Sequence, residues 1–332
     1  MSHNIAVIGS GSWATAIVKI LAESPLINQI HWWMRSKDYV DSFYQYGHNP
    51  NYLSSVFFDK KRVNATNDLA ACVNSSEIII IATPSAFVHT AINSITRDAF
   101  KGKILVSAVK GLIPETTQIV SDYIHTHLHI PHKDIACISG PCHAEEVARE
   151  RLSYLTIASE NIALAEFLLP LFRCRYINCT ASDDIVGIEH AAVLKNIYAI
   201  AAGIANGLGY GDNYKAVLIS YAIREIETFL QKLGIDSLRV NESAYLGDLL
   251  VTAYSQLSRN RTFGSMLGRG YSVSSAQMEM KMVAEGYYSA KQIYMLNKRV
   301  GAEMPMMETV YKIIYENANA VSAFAELSQQ LH

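Results

Sequence analysis

Apolar residues follow two different patterns along this chain of 332 residues. In the first half, short apolar runs rich in β-branched residues alternate with segments of helical spacing, and the runs cover residues 5–8, 30–34, 78–82, 104–107, 135–139 and 154–158. Such alternation is typical of βαβ units, so we predict a mostly parallel sheet with helices on both faces. The run at 78–82 is apolar throughout, which predicts a central strand covered on both sides.

The second half of the chain has helical patterns only. They cover residues 185–205, 214–233, 242–257, 274–285 and 289 onward, and the strand patterns stop near residue 181. With 50% hydrophobic residues, a chain of this length favours two domains. We therefore predict an α/β fold in which a Rossmann-type sheet domain, residues 1–180, is followed by an all-α domain, residues 181–332.

The composition limits the kind of partner. The chain has 28 basic and 30 acidic residues, which gives no indication of a nucleic-acid partner and favours a small-molecule ligand. Its five cysteines have no CxxC or metal-ligand spacing, which predicts reduced thiols, a cytoplasmic location and no metal site. The first residues show no signal-peptide pattern, and we expect no apolar run near the roughly 20 residues that span a bilayer.

A glycine-rich turn follows the first apolar run. It has the pattern G-x-G-x-x-A, with Gly9, Gly11 and Ala14 at the defined positions. In a dinucleotide-binding turn the first glycine permits the tight bend, the second lets the backbone approach a pyrophosphate, and a small third residue lets the helix pack closely. The alternative is an ordinary strand-to-helix turn. However, five further strand candidates follow in the sequence, which favours a dinucleotide-binding turn.

The end of the second apolar run bears on cofactor choice. NAD-selective folds carry an acid here for the ribose hydroxyl, whereas this chain has Arg35 and Lys37. Both side chains suit a 2′-phosphate, so we expect NADP(H) to be accepted at least as well as NAD(H). The alternative is that Arg35 stacks on the adenine or faces solvent. Asp38 could still reach the ribose, so NAD(H) also remains a candidate cofactor.

Lys195 lies in the apolar run 194–203 and has no acid three or four residues away. A helix apolar on all sides is buried, and burial lowers the pKa of a lysine toward the range useful for proton transfer. The alternative is that its long side chain reaches the surface. Asp248 is the candidate partner, with Thr252 on the same helix face.

Two other segments carry candidate chemistry. Lys110 follows the run 104–107 and precedes Gly111, where the carboxyl ends of parallel strands bind ligands; a surface lysine is the alternative. The sequence Ser258-Arg259-Asn260-Arg261 offers a guanidinium and amides suited to a phosphate, or forms an ordinary solvated turn. We expect the two ammonium groups and Asp248 to converge.

In chain order these motifs resemble one family. They are G-x-G-x-x-A, V-K-G, S-G-P-x-x-A-x-E-V, L-K-N-x-Y-A-I-A-A-G, G-D-L-x-x-T and S-R-N. The sequence resembles the bacterial NAD(P)-dependent sn-glycerol-3-phosphate dehydrogenases from Ile5 to about residue 316. The resemblance implies a cytoplasmic enzyme that reversibly transfers a hydride between NAD(P)H and dihydroxyacetone phosphate, giving sn-glycerol 3-phosphate for glycerophospholipid synthesis. A homodimer is left open.

The resemblance also implies roles for individual residues. Lys195 matches the proton acceptor, and Lys110 and Asp248 complete the catalytic set. The cofactor contacts are Gly9, Gly11, Ser12, Trp13, Arg35, Lys110, Ala144, Arg259, Val283 and Glu285. The substrate contacts are Lys110, Gly140, Cys142, Lys195, Asp248, Ser258, Arg259 and Asn260.

Several positions depart from the family pattern. Cys142 and His143 replace a small hydroxylated residue and an aromatic one, Tyr221 replaces an arginine, and Tyr245 replaces a glycine. These changes put substrate affinity and feedback control in more doubt than the reaction. Two rival functions remain: another two-domain dehydrogenase that acts on a hydroxy acid or sugar acid, and a nicotinamide-binding sensor without turnover.

Overall fold

The computed structural model describes residues 2–235, 239–280 and 284–331. The chain forms two compact units. Unit 1 comprises residues 1–109 and 113–185, and unit 2 comprises residues 110–112 and 186–332. The short segment Lys110–Leu112 therefore belongs with the helical half, which its sequence position did not indicate. The domain boundary after residue 180 stays a prediction.

Unit 1 contains one eight-stranded sheet. Its strands are β1 (His3–Ile8), β2 (Ile27–Trp33), β3 (Val63–Thr66), β4 (Ile78–Ile81), β5 (Ile104–Ser107), β6 (Ile135–Ser139), β7 (Ser153–Ala158) and β8 (Ile177–Ser182). The strand order is β3-β2-β1-β4-β5-β6-β7-β8, and among these described strands only β6 and β7 pair antiparallel. This confirms the predicted mostly parallel sheet and the interior position of the run at 78–82.

The strands β3 and β8 were not predicted. Both lie at sheet edges, and their alternate residues Asn64, Asn178 and Thr180 are exposed. An edge strand with one wet face needs no continuous apolar run, so the pattern that reveals β4 is missing here.

Among the described residues, unit 1 also contains seven α-helices. They are α1 (Ser12–Glu23), α2 (Lys37–Tyr46), α3 (Leu69–Asn74), α4 (Ser85–Ile92), α5 (Val120–Leu128), α6 (Ala144–Ala148) and α7 (Ile162–Phe172). In the core, Ile17 of α1 and Leu168 of α7 join Ile5 and Ile80 of the sheet in one buried apolar cluster.

Unit 2 is helical. Its described helices are α8 (Ile185–Gly207), α9 (Asp212–Lys232), α10 (Asp248–Tyr254), α11 (Arg259–Gly268), α12 (Val273–Glu279), α13 (Glu285–Val300), α14 (Pro305–Tyr315) and α15 (Ala320–Gln330). One π-helical turn, Ser243–Gly247, leads into α10. The all-α second half is confirmed.

Two of the predicted helices were wrong in extent. The pattern at 242–257 predicted one helix, but α10 ends at Tyr254 because the backbone of Ser255 is extended. The pattern at 274–285 also predicted one helix, whereas α12 ends at Glu279 before an extended Met280, and Glu285 begins α13. Apolar spacing alone did not reveal these two breaks.

Helix α8 corrects an expectation about apolar runs. It has 23 residues and is long and apolar enough to cross a membrane, with Glu189 and Lys195 as its acidic and basic side chains. However, 94% of its most apolar window is buried inside the protein. Such burial is typical of the core helix of a globular unit.

Glycines bring α8 and α11 into backbone contact. A β-carbon at Gly203 would lie 2.2 Å from the carbonyl oxygen of Arg261, and one at Gly264 would lie 2.1 Å from that of Ile200. The pair Gly207 and Gly268 repeats this close approach one turn further along. The sliding position of α11 on α8 is therefore fixed by backbone atoms, which cannot yield as side chains do.

We predict that Gly264→Ala destabilises the protein although alanine is the better helix former. The added methyl overlaps the Ile200 carbonyl, and overpacking of this severity costs about 3 kcal/mol of unfolding free energy or more. Urea unfolding measures the loss. Gly211→Ala is the matched control, because a β-carbon at Gly211 meets no atom within 4 Å and its φ is −76°. Equal stability of the two variants would refute the close helix contact.

Candidate active site

Three charged side chains meet in unit 2. Lys195 of α8 forms an ion pair with Asp248, the first residue of α10, and the Lys110 ammonium nitrogen lies 3.3 Å from the same carboxylate oxygen. The side chains of Lys195 and Asp248 are only 4% and 2% exposed. The expected convergence is present, and Lys195 does not reach the surface. Two ammonium groups sharing one carboxylate leave a net positive charge.

Burial and charge set the protonation of this cluster. Burial lowers the pKa of Lys195 to about 7; Asp248 opposes this effect and Lys110 adds to it. Burial alone would raise the pKa of Asp248, but Lys110 and Lys195 together hold it below its usual value. Asp248 is thus a permanent anion, while Lys195 can exchange a proton near neutral pH.

A chain of side-chain amides surrounds the charged cluster. Asn196 donates from Nδ2 to the carbonyl oxygen of Lys110 at 3.0 Å, and Asn260 donates from Nδ2 to Oδ1 of Asn196 at 2.9 Å. The backbone N–H of Gly286 donates to Oδ1 of Asn260 at 2.9 Å. An asparagine inside an apolar helix is a visible signal in the sequence, but the sequence analysis gave Asn196 no site role.

The start of α11 carries the candidate phosphate residues. Ser258 is the N-cap of this helix, and its hydroxyl accepts a hydrogen bond from the backbone N–H of Arg261 at 3.3 Å. Ser258 is buried, whereas Arg259 is exposed. The serine thus shapes the helix end, and Arg259 is the first residue of the helix that follows it.

The glycine-rich turn lies in unit 1 between β1 and α1. Gly9 has a φ of +134°, and a β-carbon there would lie 2.6 Å from the carbonyl oxygen of Ala82. By contrast, a β-carbon at Gly11 meets nothing within 4 Å, and no side chain caps the start of α1. Open space in front of a helix N-terminus fits a pyrophosphate, and Ser12 and Trp13 form the first turn of that helix.

The end of β2 places Arg35 beside an aromatic ring. Its guanidinium carbon lies 5.5 Å from the centre of the Phe87 ring, and both side chains are exposed. Asp38 lies in the first turn of α2. The contact between Arg35 and Phe87 does not test the cofactor preference, so the acceptance of NADP(H) at least as well as NAD(H) stays a prediction.

The remaining residues that the sequence selected lie in both units. In unit 1, Gly140 has a φ of +109°, Cys142 is buried, and Ala144 begins α6. In unit 2, Glu285 begins α13, whereas Val283 lies outside the described residues.

The departures from the family pattern lie in three settings. His143 is the N-cap of α6. Tyr245 is buried in the π-helical turn, and the Tyr221 ring lies 4.8 Å beneath the Arg224 guanidinium.

A dinucleotide-type turn in one unit and a buried lysine of near-neutral pKa in the other are the features of a two-domain nicotinamide-dependent dehydrogenase. Models of the N- and C-terminal parts of NAD-dependent glycerol-3-phosphate dehydrogenase match residues 4–165 and 184–325. The chain belongs to this family.

Individual relatives match nearly the whole chain. The chain is 36% identical to glycerol-3-phosphate dehydrogenase [NAD(P)+] of Thermoanaerobacter sp. over 323 residues, covering 97% of this chain and 96% of the relative. It is 34% identical to the enzyme of that name from Chlorobium luteolum, covering 98% and 97%. The crystal structure of glycerol-3-phosphate dehydrogenase from Coxiella burnetii superposes with a TM-score of 0.91 at 31% identity, covering 98% of both chains.

We predict that Asp248→Asn lowers the pKa of Lys195 further. The carboxylate is the group that favours the charged lysine, so its loss leaves burial and Lys110 unopposed. Lysine-selective ¹³C NMR titration measures the pKa, with Lys195→Met to assign the signal. The control is Asp212→Asn, which removes an exposed carboxylate paired with Lys215 and should leave Lys195 unchanged. A pKa that rises in Asp248→Asn would contradict this electrostatic arrangement.

Proposed function

We propose that this protein reversibly transfers a hydride between NAD(P)H and dihydroxyacetone phosphate, giving sn-glycerol 3-phosphate, and so supplies glycerophospholipid synthesis. The observation that carries the proposal is the buried cluster of Lys195, Asp248 and Lys110 in a chain of this family. The reaction needs positive charge beside a carbonyl oxygen and one group that exchanges a proton near pH 7. The cluster supplies both.

When bound, the nicotinamide cofactor supplies the hydride that reduces the carbonyl carbon. Lys195 then donates a proton to the oxygen, and Lys110 stabilises the negative charge that develops there. General acid catalysis is typically worth roughly 10²- to 10⁴-fold in rate, and oxyanion stabilisation contributes a few kcal/mol more. In the reverse direction, neutral Lys195 removes the proton from the hydroxyl group.

Asp248 makes both roles compatible. Without a counter-ion, two ammonium groups in a buried site would repel each other and lose their protons. By accepting from both lysines, Asp248 fixes their positions, and its charge opposes the effect of burial on Lys195, whose pKa is about 7. In this proposal, Asp248 therefore positions the two lysines and does not itself donate a proton.

The start of α11 is the proposed phosphate site. Arg259 offers two parallel N–H groups, the geometry that binds phosphate oxygens. Asn260 uses one amide proton for Asn196, and its amide group has a second proton for a phosphate oxygen. Binding energy from this remote group orients the carbonyl and lowers the barrier.

The cofactor is held, in this proposal, by the glycine-rich turn and by residues of both units. Gly9 permits the tight bend, Gly11 admits the pyrophosphate, and Arg35 contacts the adenosine half. The further cofactor contacts are Ser12, Trp13, Lys110, Ala144, Arg259, Val283 and Glu285. Gly140, Cys142 and Ser258 complete the substrate contacts.

We also propose a cytoplasmic location and no nucleic-acid partner. The five cysteines are all free thiols, which suits a reducing compartment. The formal net charge of −2 offers nothing that attracts a polyanion. A homodimer stays open. NAD(P)+-dependent oxidation of a hydroxy acid or sugar acid, without activity on sn-glycerol 3-phosphate or dihydroxyacetone phosphate, would favour the first rival function.

We predict that Lys195→Met binds NADPH normally and loses turnover by roughly 10²- to 10⁴-fold. Calorimetry measures binding, and the decrease of NADPH absorbance with dihydroxyacetone phosphate measures turnover. Lys298→Met removes an exposed lysine of α13 and should act like the wild type. Near-normal turnover of Lys195→Met would remove the assignment of the acid, and wild-type protein without turnover would favour the sensor.

We predict that Arg259→Ala weakens the phosphorylated substrate selectively. Loss of a charged hydrogen bond of about 1.5 to 3 kcal/mol lowers kcat/KM for dihydroxyacetone phosphate about 10- to 100-fold. Unphosphorylated dihydroxyacetone should be affected far less. Arg269→Ala, just beyond the other end of α11, is the control. Equal losses on both substrates would exclude a phosphate role for Arg259.

A further inference from the structure

Residues Lys110–Leu112 form a short segment of unit 2 that we name the lysine strap. Two side-chain amides hold its backbone. Asn196 of α8 donates to the carbonyl oxygen of Lys110 at 3.0 Å, and Gln292 of α13 donates from Nε2 to the carbonyl oxygen of Leu112 at 3.2 Å. The strap is thus fastened at both ends to helices of unit 2.

Gln292 is an energetically unfavourable choice for its position. The residue is 7% exposed, and its Oε1 atom is buried without a hydrogen-bond partner in the part of the chain that the structure describes. A buried, unsatisfied polar atom costs about 1 to 3 kcal/mol. An apolar residue of similar volume would avoid that cost at position 292, but it would leave the Leu112 carbonyl oxygen without its donor. Local choices that oppose stability are typical of functional sites, and the hydrogen bond to Leu112 is what this glutamine provides.

We propose that Gln292, together with Asn196, is a positioning residue that fixes the lysine strap and thereby holds the Lys110 ammonium group against Asp248. Its effect on turnover rests on the proposed function, whereas its effect on the charged cluster does not. Gln292 acts through the strap backbone and not on substrate.

The position of Lys110 has an electrostatic consequence. The charged groups that act on Lys195 are Asp248 from α10, which favours its charged form, and Lys110 from the strap, which disfavours it. If the strap loses its tether, the Lys110 ammonium moves away from the carboxylate. Asp248 then serves Lys195 alone, so the pKa of Lys195 rises above about 7.

The test uses Gln292→Met in the full-length protein. In the wild type, Gln292 Oε1 is a buried acceptor without a partner among the described residues, and in the variant the Leu112 carbonyl oxygen is left without its donor instead. We therefore expect unfolding by urea close to that of the wild type. Lysine-selective ¹³C NMR should show the pKa of Lys195 raised by about one pH unit, without cofactor or substrate.

Kinetics give the second readout. Oxidation of sn-glycerol 3-phosphate requires neutral Lys195, so its rate increases as pH rises through the pKa. In Gln292→Met this increase should move to higher pH by the same amount as in the NMR titration. The variant should consequently lose about 10-fold at pH 6 and much less at pH 9.

Two comparisons isolate the strap. Asn297 lies on the same helix, is also 7% exposed, and binds Ala302 rather than the strap, so Asn297→Met should leave the pKa of Lys195 unchanged. In a Lys110→Met background, Gln292→Met should produce no further change, because the charge through which it acts is gone. Should Gln292→Met fail to fold, Gln292→Ala, which leaves room for a water on the Leu112 carbonyl, provides the same measurement.

An unchanged pKa of Lys195 in the folded Gln292 variant overturns the proposal, as does a shift that persists without Lys110. A shift seen by NMR in a protein without glycerol-3-phosphate dehydrogenase activity supports the positioning role and refutes the proposed function instead.

Discussion

The buried carboxylate of Asp248 is the interaction on which the chemistry of this protein depends. Two lysines from distant parts of the sequence share one of its oxygen atoms, and both Lys195 and Asp248 are almost fully removed from water. Burial pulls Lys195 toward its neutral form, and Asp248 pulls it back. As a result the pKa of Lys195 is about 7, and the Lys110 ammonium group lies on the same carboxylate oxygen.

Backbone contacts between helices of unit 2 fix the positions of the residues in and around this cluster. Glycines on α8 and α11 let main-chain atoms touch, so Lys195 and Asn260 are carried by helices whose sliding position is fixed. Amide side chains then connect α8, α11, the start of α13 and the lysine strap. At low dielectric, the interaction energy of a charged pair changes strongly with small displacements. The polar contacts of these amides keep the charged groups in place.

Unit 1 contributes a different kind of order. Its sheet ends in turns whose glycines bring the backbone close, as at Gly9, and leave space in front of α1. A pyrophosphate is recognised by N–H groups and a helix dipole, so this unit needs few charged side chains for its task. The two units thus differ in kind: unit 1 carries a dinucleotide-type turn, and unit 2 carries the buried charged cluster.

Local patterns in the sequence determined the parallel sheet, the helical second half, the glycine-rich turn and the candidate lysines, because each depends on residues close together in the chain. Pairing Lys195 with Asp248 also followed from chemistry, since a buried ammonium needs an anion. Only the tertiary structure decided that Lys110 belongs to unit 2, that Asn196 and Gln292 hold its backbone, and that edge strands β3 and β8 complete the sheet. These depend on contacts between residues far apart, such as the 180 positions that separate Leu112 from Gln292, and periodicity carries no information about such contacts.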